Sequence, residues 1–376
     1  MRFDVAVVGA GPAGLIAARE TARRGLRTAV FEEDQIIGRP EKCAGLYSVE
    51  GLRALGIPVE GPYLQNKVRG AVFVSPSGKT FEVDAGKHVA AVCNRERFDQ
   101  FLAEQAISTG VEVFLDERVV EAKTTNNHVS VVSKNVKAVS RHLVIAEGRA
   151  AATARQFFPR YRLNGWLPIV QYQISNHRQD PDMVYLYFRD YVPEFFGYLV
   201  PIDERTGKLG VAASKNTDRV AAKLLSELFP QAKLLGVSSS AIYLGKPIQH
   251  PMKGRVMLVG DVAGQTKATT GGGVIMGGLA AIAAAKHAAG EESYEKSLKP
   301  VMRELNRTYL LRRITASLPP KALDNLFQAV RESGVEKIIS RVGDMDRHMP
   351  TVAKALLTPS AFKLFALLLS RVLHSV

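Results

Sequence analysis

The chain has 376 residues, with 50 Lys and Arg against 36 Asp and Glu, a formal charge of +14 and a pI near 9.7. Hydrophobic residues make up 46% and charged residues 23%, which excludes a disordered or fibrous chain. Two cysteines, Cys43 and Cys93, are too few for an iron–sulfur cluster, a zinc ribbon or a disulfide scaffold, and they suit a reducing interior.

The length predicts two or three domains at roughly 100–200 residues each. No uninterrupted apolar stretch reaches about 18 residues, so no spanning helix is expected. Only Met1 and Arg2 precede the first strand, which reads as no signal peptide and a cytoplasmic protein. The positive charge admits anionic lipid, nucleic acid or acidic small molecules as partners. No nucleic-acid module or interleaved basic–aromatic motif occurs, so nucleic acid is not expected.

Residues 3–8 form a continuous apolar, β-branched run, which predicts a buried parallel strand. Gly9-Ala-Gly-Pro-Ala-Gly14 follows at once, then a helical pattern over 12–24 and a strand from Thr28 to Phe31 that ends at Glu32-Glu33. This is a βαβ unit with a glycine-rich first turn. A loop from Asp34 to Ser48 and a hairpin over 68–84 come next. A helix is predicted over 95–110, a strand over 111–115, and three short strands within 117–145. From Trp166 the pattern is mostly β, with strands at 168–175, 183–189, 195–202, 208–214 and 240–246 and a helix at 217–229. Val256-Met-Leu-Val-Gly-Asp261 reads as another buried strand, and Thr269-Thr-Gly-Gly-Gly-Val274 opens an alanine-rich helix to about Ala289. Residues 291–376 are helical in character.

Gly9, Gly11 and Gly14 with Glu32 make a dinucleotide fingerprint. Gly9 permits the tight turn, Gly11 lets backbone approach a pyrophosphate, and Gly14 lets helix and strand pack closely. The helix N-terminus faces the phosphates, and the Glu32 carboxylate can accept from an adenosine ribose. Gly260-Asp261 and Gly271-Gly-Gly273-Val274 form a second anion-friendly helix start, which fits a flavin. There Asp261 can accept from the ribityl hydroxyls, and the helix dipole can favour negative charge at the pyrimidine edge of the ring.

Gly9–Gly14 with Glu32, Arg95-x-x-Phe98-Asp99 and Gly260-Asp261 resemble the FAD-dependent group that contains the aromatic hydroxylases. Ile37-Gly-Arg-Pro-Glu-Lys-Cys43-Ala-Gly-Leu46, Lys267-Ala-Thr-Thr-Gly-Gly-Gly-Val274 and Pro193-Glu-Phe-Phe-Gly-Tyr198-Leu-Val-Pro201 resemble the archaeal geranylgeranyl reductases more narrowly. The resemblance covers about residues 1–290. It implies FAD contacts at Ala13, Glu32, Cys43, Ala44, Leu46, Arg95, Val119, Asp261, Gly273 and Val274. It departs at Tyr198, where the family usually has Trp, at Glu147, where Asp is usual, and at Ala268, where Pro is common.

The expected fold is α/β. A doubly wound FAD-binding domain of the aromatic-hydroxylase type comes from 1–60, 88–150 and 248–290. A β-sheet substrate domain comes from 61–87 and 151–247, and a helical C-terminal region from 291–376. The expected reaction saturates prenyl double bonds of an isoprenoid ether phospholipid. An isolated trisubstituted alkene accepts hydride poorly, so protonation toward a tertiary cation must lead or accompany the transfer. Cys43, Tyr198 and an ordered water are the candidate proton donors. Cys43 lies in a glycine-bounded loop near Lys42, where it either takes part in the chemistry or fills space under the ring. Cys93, at a strand end, reads as packing. Phe188, Tyr191, Phe195, Phe196 and Tyr198 each read singly as sheet core, and together they suit the wall of a long apolar channel.

The alternative is a flavin monooxygenase or halogenase acting on an aromatic substrate, against which the Cys43 loop and the Thr269–Gly273 segment argue. The electron donor stays open among a ferredoxin, a deazaflavin and a nicotinamide. The eight histidines show no metal-ligand spacing, so no metal is expected. Residues 358–376 read as an amphipathic helix with Thr358 as N-cap, carrying Lys363, Ser370, Arg371 and His374 on one stripe. That helix either lies on an anionic membrane surface or packs against the protein body.

Overall fold

A computed structural model of the chain describes residues 1–125, 127–348, 351, 354, 357–360, 363 and 364. The helix expected over 358–376 therefore lies mostly outside the described residues. Leu364 packs against a small cluster built on Val330 and Val335.

The chain opens with β1 (Arg2–Val8), in which Val5 and Val7 enter one core and Ala6 and Val8 another. That is the two-residue period of a strand buried on both faces. Next come α1 (Pro12–Ala22), β2 (Thr28–Phe31), β3 (Leu46–Ser48), α2 (Val49–Ala54) and β4 (Leu64–Val68). The hairpin β5 (Gly70–Val74) and β6 (Thr80–Asp84) is followed by β7 (Ala90–Cys93) and α3 (Arg95–Ser108). β8 (Glu112–Phe114) precedes a meander of β9 (Val119–Thr124), β10 (Val129–Ser133) and β11 (Lys137–Ile145). After α4 (Ala152–Phe157) come β12 (Trp166–Ser175), β13 (Met183–Tyr187), β14 (Gly197–Pro201) and β15 (Thr206–Ala212), then α5 (Thr217–Leu228) and β16 (Lys233–Tyr243). β17 (Met252–Lys253), β18 (Val256–Leu258), a 3₁₀ turn over Gly260–Ala263 and α6 (Val274–Ala288) return the chain to the first sheet. α7 (Tyr294–Ala316), α8 (Pro320–Ser333) and α9 (Val335–Val342) follow.

Three sheets result. The first runs β17-β18-β11-β1-β2-β8, with β10 and β9 added beside β11. β1 pairs in parallel with both β2 and β11, and β18 extends the parallel set. The second runs β16-β12-β15-β14-β13-β5-β6 and is antiparallel except between β13 and β5. The third is a small antiparallel sheet, β3-β7-β4.

The first turn joins β1 to α1 through glycine. Gly9 has φ +98°, and a Cβ there would lie 2.6 Å from the Ala146 carbonyl oxygen. A Cβ at Gly14 would lie 1.9 Å from the Gly9 carbonyl oxygen, so α1 could not pack this close with any larger residue. α1, α3 and α6 share one core with Val5, Val7 and Val144 of the sheet. Arg19 is fully buried within it and ties three helices together, donating to the Leu55 carbonyl and to Gln105 Oε1. On the other face, Ala151, Ala154 and Phe157 pack with Val119 and Val131 of the meander.

In the second sheet Leu199, Leu209 and Val211 face α5, whose Ala221 and Leu224 cover them. The opposite face carries Ile169, Phe196, Tyr198, Val200 and Ala212, and it packs on Val68, Ala90 and Val92 of the small sheet. The polar side chains of Gln171 and Lys208 alternate in phase with these, so they too turn toward the small sheet.

Several elements differ from the sequence expectation. Leu46–Ser48 is a strand rather than loop, and β4, β7, α2 and α4 are elements the sequence pattern does not predict. These pieces are short, and β4 reads Leu-Gln-Asn-Lys-Val without apolar alternation, so their pairing is non-local. β16 begins at Lys233 rather than 240. It is an edge strand whose Leu234, Leu235 and Val237 are exposed, and the Ser238–Ser240 run weakens its pattern.

A candidate flavin and substrate site

The end of β2 brings Glu32 under the glycine turn. Its Oε2 accepts from the Ala10 N–H at 2.5 Å and its Oε1 from the Asp34 N–H at 2.9 Å. Each oxygen keeps acceptor capacity for a further donor. Burial pushes the Glu32 carboxyl up, and the two backbone bonds oppose this. Glu33 is exposed and reaches Arg118.

Gly11 behaves unlike its neighbours. A Cβ there would meet nothing within 4 Å, so the protein's own packing does not require glycine at this position. Gly11 is also the N-cap of α1, with no side-chain cap and no acidic residue in the first turn. The helix therefore presents free N–H groups and an uncompensated positive end toward open space. That combination fits a pyrophosphate.

A second helix start lies alongside. α6 begins at Val274 after Gly273, again uncapped and without an acidic first turn. Asp261 accepts from Thr266 Oγ1 at 3.1 Å, and a Cβ at Gly273 would lie 2.8 Å from Asp261 Oδ1. Glycine at 273 is what lets the carboxylate sit against this backbone. Burial pushes the Asp261 carboxyl up, with Thr266 and Arg95 opposing. Ala13 packs beside Gly260 and Gly277, drawing the two helix starts together. The residues present fit FAD, with a pyrophosphate at Gly11, a ribose acceptor at Glu32 and a polyol acceptor at Asp261.

Arg95 borders this frame, its charge acting on Asp261. Arg95 forms a two-pronged ion pair with Asp99, at 2.8 and 2.9 Å, on the first turn of α3. Val119 is buried at the start of β9, and Ala44 and Leu46 line the edge of the aromatic cluster.

The Cys43 loop joins the two halves of the molecule. Cys43 Sγ accepts from the Gly45 N–H at 3.4 Å, and the Cys43 carbonyl accepts from Gln171 Nε2 at 3.5 Å. Gln171 Oε1 accepts from the Tyr198 hydroxyl at 2.8 Å. Tyr198 and Cys43, 155 positions apart in the sequence reading, thus flank one glutamine of β12. Tyr198 lies across Gly210, where a Cβ would be 2.2 Å from its ring, and burial pushes its phenol well above the usual range. Phe195 stacks on Phe196 with centroids 3.9 Å apart, and Phe196 meets Phe188 at 5.7 Å. Tyr191 stands apart, on the α5 side, donating to Glu227. Cys93 is buried, and burial pushes its thiol up to about 12.

Sequence reasoning missed the residues that hold this loop. Lys208 of β15, buried, donates to Glu41 Oε1 at 2.7 Å and to the carbonyls of Ala44 and Cys93. Glu41 also accepts from the Arg95 N–H at 2.9 Å. A lysine at an inward position of an otherwise apolar strand was the available signal. Lys267 opens the Lys267–Val274 motif, and the motif itself predicts no role for it. It is buried, donating to Asp346 Oδ1 at 2.7 Å and to the Met345 carbonyl at 2.5 Å. Among the described residues no three His, Cys, Asp or Glu side chains are grouped to hold a metal, and no helix is long and apolar enough to cross a membrane.

A doubly wound sheet with two uncapped helix starts defines a flavin oxidoreductase, and residues 4–153 match the family described as FAD dependent oxidoreductase. The whole chain resembles a solved geranylgeranyl bacteriochlorophyll reductase-like protein from Thermoplasma acidophilum, with TM-score 0.83, 22% identity, and 97% of this chain and 99% of that one covered. It is 30% identical to digeranylgeranylglycerophospholipid reductase 1 of Methanopyrus kandleri over 73% of this chain and 77% of that protein. It is 29% identical to the reductase of the same name from Thermoplasma volcanium over 94% and 98%. The chain belongs to the digeranylgeranylglycerophospholipid reductase family.

Proposed function

We propose that this protein saturates the isoprenoid (geranylgeranyl) double bonds of archaeal membrane ether phospholipids. The observation that carries the reading is the meeting of the Cys43 loop with the aromatic face of the second sheet, beside the helix starts that suit FAD. When bound, FAD supplies the hydride. The chain's own residues do the rest. Gly9, Gly11, Ala13, Gly14 and Glu32 would hold the nucleotide end, and Arg95, Val119, Asp261, Gly273 and Val274, with Cys43, Ala44 and Leu46, would hold the flavin end. Phe188, Phe196 and Tyr198 keep water from the prenyl chain, which is needed if a tertiary cation is to form there. Cys43 is the proton donor to the alkene. Tyr198, whose hydroxyl is committed to Gln171, orients the loop through that glutamine.

The division into an FAD-binding part (1–60, 88–150, 248–290), a substrate part (61–87, 151–247) and a C-terminal part (291–376) belongs to the same proposal. Electrons come from an external donor, a ferredoxin, a deazaflavin or a nicotinamide. The lipid is taken from an anionic membrane surface, to which the protein binds peripherally. The last turns of α7, with exposed Leu310, Arg313 and Ile314, support such a contact.

The test is anaerobic. Dithionite-reduced protein is incubated with an unsaturated archaeal ether phospholipid, and the lipid is weighed by mass spectrometry. A gain of two hydrogens per double bond is expected. A gain of oxygen that requires air overturns the reading in favour of a monooxygenase.

A further inference from the structure

The turn from Asp344 to His348 belongs to the C-terminal region, yet it is bound into the heart of the molecule. Asp346 is buried and takes the Lys267 ammonium on one oxygen and the Ser48 hydroxyl on the other. Ser48 in turn caps α2, its Oγ accepting from the Gly51 N–H at 2.8 Å. His348 donates its main-chain N–H to Glu304 of α7 at 2.8 Å, and its ring sits 3.1 Å from Thr269 Oγ1. The Met345 carbonyl lies within hydrogen-bond reach of both Lys267 Nζ and His348 Nε2. Four residues from three separate parts of the chain therefore fix one short turn.

A buried ion pair is a poor way to gain stability, because desolvation offsets most of the attraction. What it does well is fix register, since a slipped turn leaves a charge unpaired. Here the residue whose register is fixed is Met345. Its side chain packs against the cluster that contains Phe196, Tyr198 and Leu244, the same cluster on which Ala44 and Leu46 of the Cys43 loop pack. Methionine is unbranched, polarisable and able to repack against aromatic rings, which suits a wall that must pass methyl-branched units.

We infer that Met345 is a specificity-determining wall of the prenyl channel, and that Lys267 and Asp346 are its positioning residues. This rests on the reductase reading above. Met345 limits how far the isoprenoid chain advances past Cys43, and so how many of its double bonds are reduced.

Wild type, Met345→Ala, Met345→Trp and Asp346→Asn are compared as full-length FAD-loaded proteins on one unsaturated ether phospholipid. Products are resolved by the number of hydrogen pairs added, and lipid affinity is read from the perturbed flavin spectrum. Met345→Trp is expected to weaken lipid binding and lower the share of fully saturated product at least fivefold. Met345→Ala and Asp346→Asn broaden the distribution, and FAD content stays unchanged in the folded Met345 variants. If Met345→Trp does not fold, the alanine variant carries the test. Wild-type product distribution and affinity in folded Met345 variants overturn the inference alone. A wild type that neither binds nor reduces the lipid overturns the reductase reading and this inference with it.

Discussion

Lys208 reaches from β15 to the Glu41 carboxylate across 2.7 Å, and the pair holds the Cys43 loop between the second sheet and α3. Glu41 is also bound to the Arg95 N–H, so one carboxylate joins the substrate wall to the residue paired with Asp99. The loop enters a ladder only at its end, where β3 pairs with β7, so its earlier part around Glu41 is positioned by charge.

Replacing Lys208 by Met leaves Glu41 with a buried, uncompensated partner site. The expected loss is about 3 kcal/mol of stability, the low end for breaking a buried pair, since Glu41 is partly exposed. Urea unfolding measures it. A loss under about 1 kcal/mol would mean that the Lys208–Glu41 pair does not anchor the loop.

Glu32→Ala removes the acceptor at the end of β2. A hydrogen bond to a charged group contributes about 1.5–3 kcal/mol, so FAD affinity should fall by roughly one to two orders of magnitude. Flavin fluorescence on serial dilution reads this directly. Wild-type affinity in a folded variant removes Glu32 from the nucleotide site.

Cys43→Ser and Tyr198→Phe separate the two candidate proton donors. Both should keep FAD. Single-turnover reoxidation of the reduced enzyme by lipid is expected to slow about 100-fold or more in Cys43→Ser, the scale of a lost general acid. In Tyr198→Phe it should slow less than tenfold, because that phenol is a weakened acid already donating to Gln171. The reverse order transfers the role to Tyr198, and unchanged rates in both return the proton to water.

His348 and His142 are both held down at about 4, chiefly by burial, with Lys267 the next cause for His348 and His287 for His142. The folded values lie below the ordinary 6.5, so between about 6.5 and 4 the unfolded chain binds protons that the folded one refuses. Stability is therefore complete above pH 6.5 and falls as the pH drops toward 4. Unfolding free energies at pH 7.5 and 4.5 should show the decline, and His348→Gln should show a shallower one. An identical pH slope in the variant would exclude His348 as a contributor.

The nucleotide half was legible because its signals are local. Gly9 turns the chain at a positive φ, Gly14 packs on the Gly9 carbonyl within the same βαβ unit, and Glu32 sits at the end of the adjoining strand. The substrate half depends on which face of a strand turns inward, and Gln171 and Lys208 look ordinary until β12 and β15 are paired. The turn at Asp344–His348 was out of reach for another reason. Its partners Ser48 and Lys267 lie far away in sequence, and no periodicity announces a contact of that range.

The first sheet also dictates an order of events during synthesis. β1 finds β2 at once, but its other edge waits for β11, and β11 in turn waits for β18. At roughly 5–20 residues per second, the wait for β11 is on the order of ten seconds on the ribosome. Over that interval a strand apolar on both faces stands with one side bare. The nascent chain is thus most exposed to aggregation early, and overproduction in a foreign host should benefit more from a holding chaperone than from any stabilising change in the finished protein.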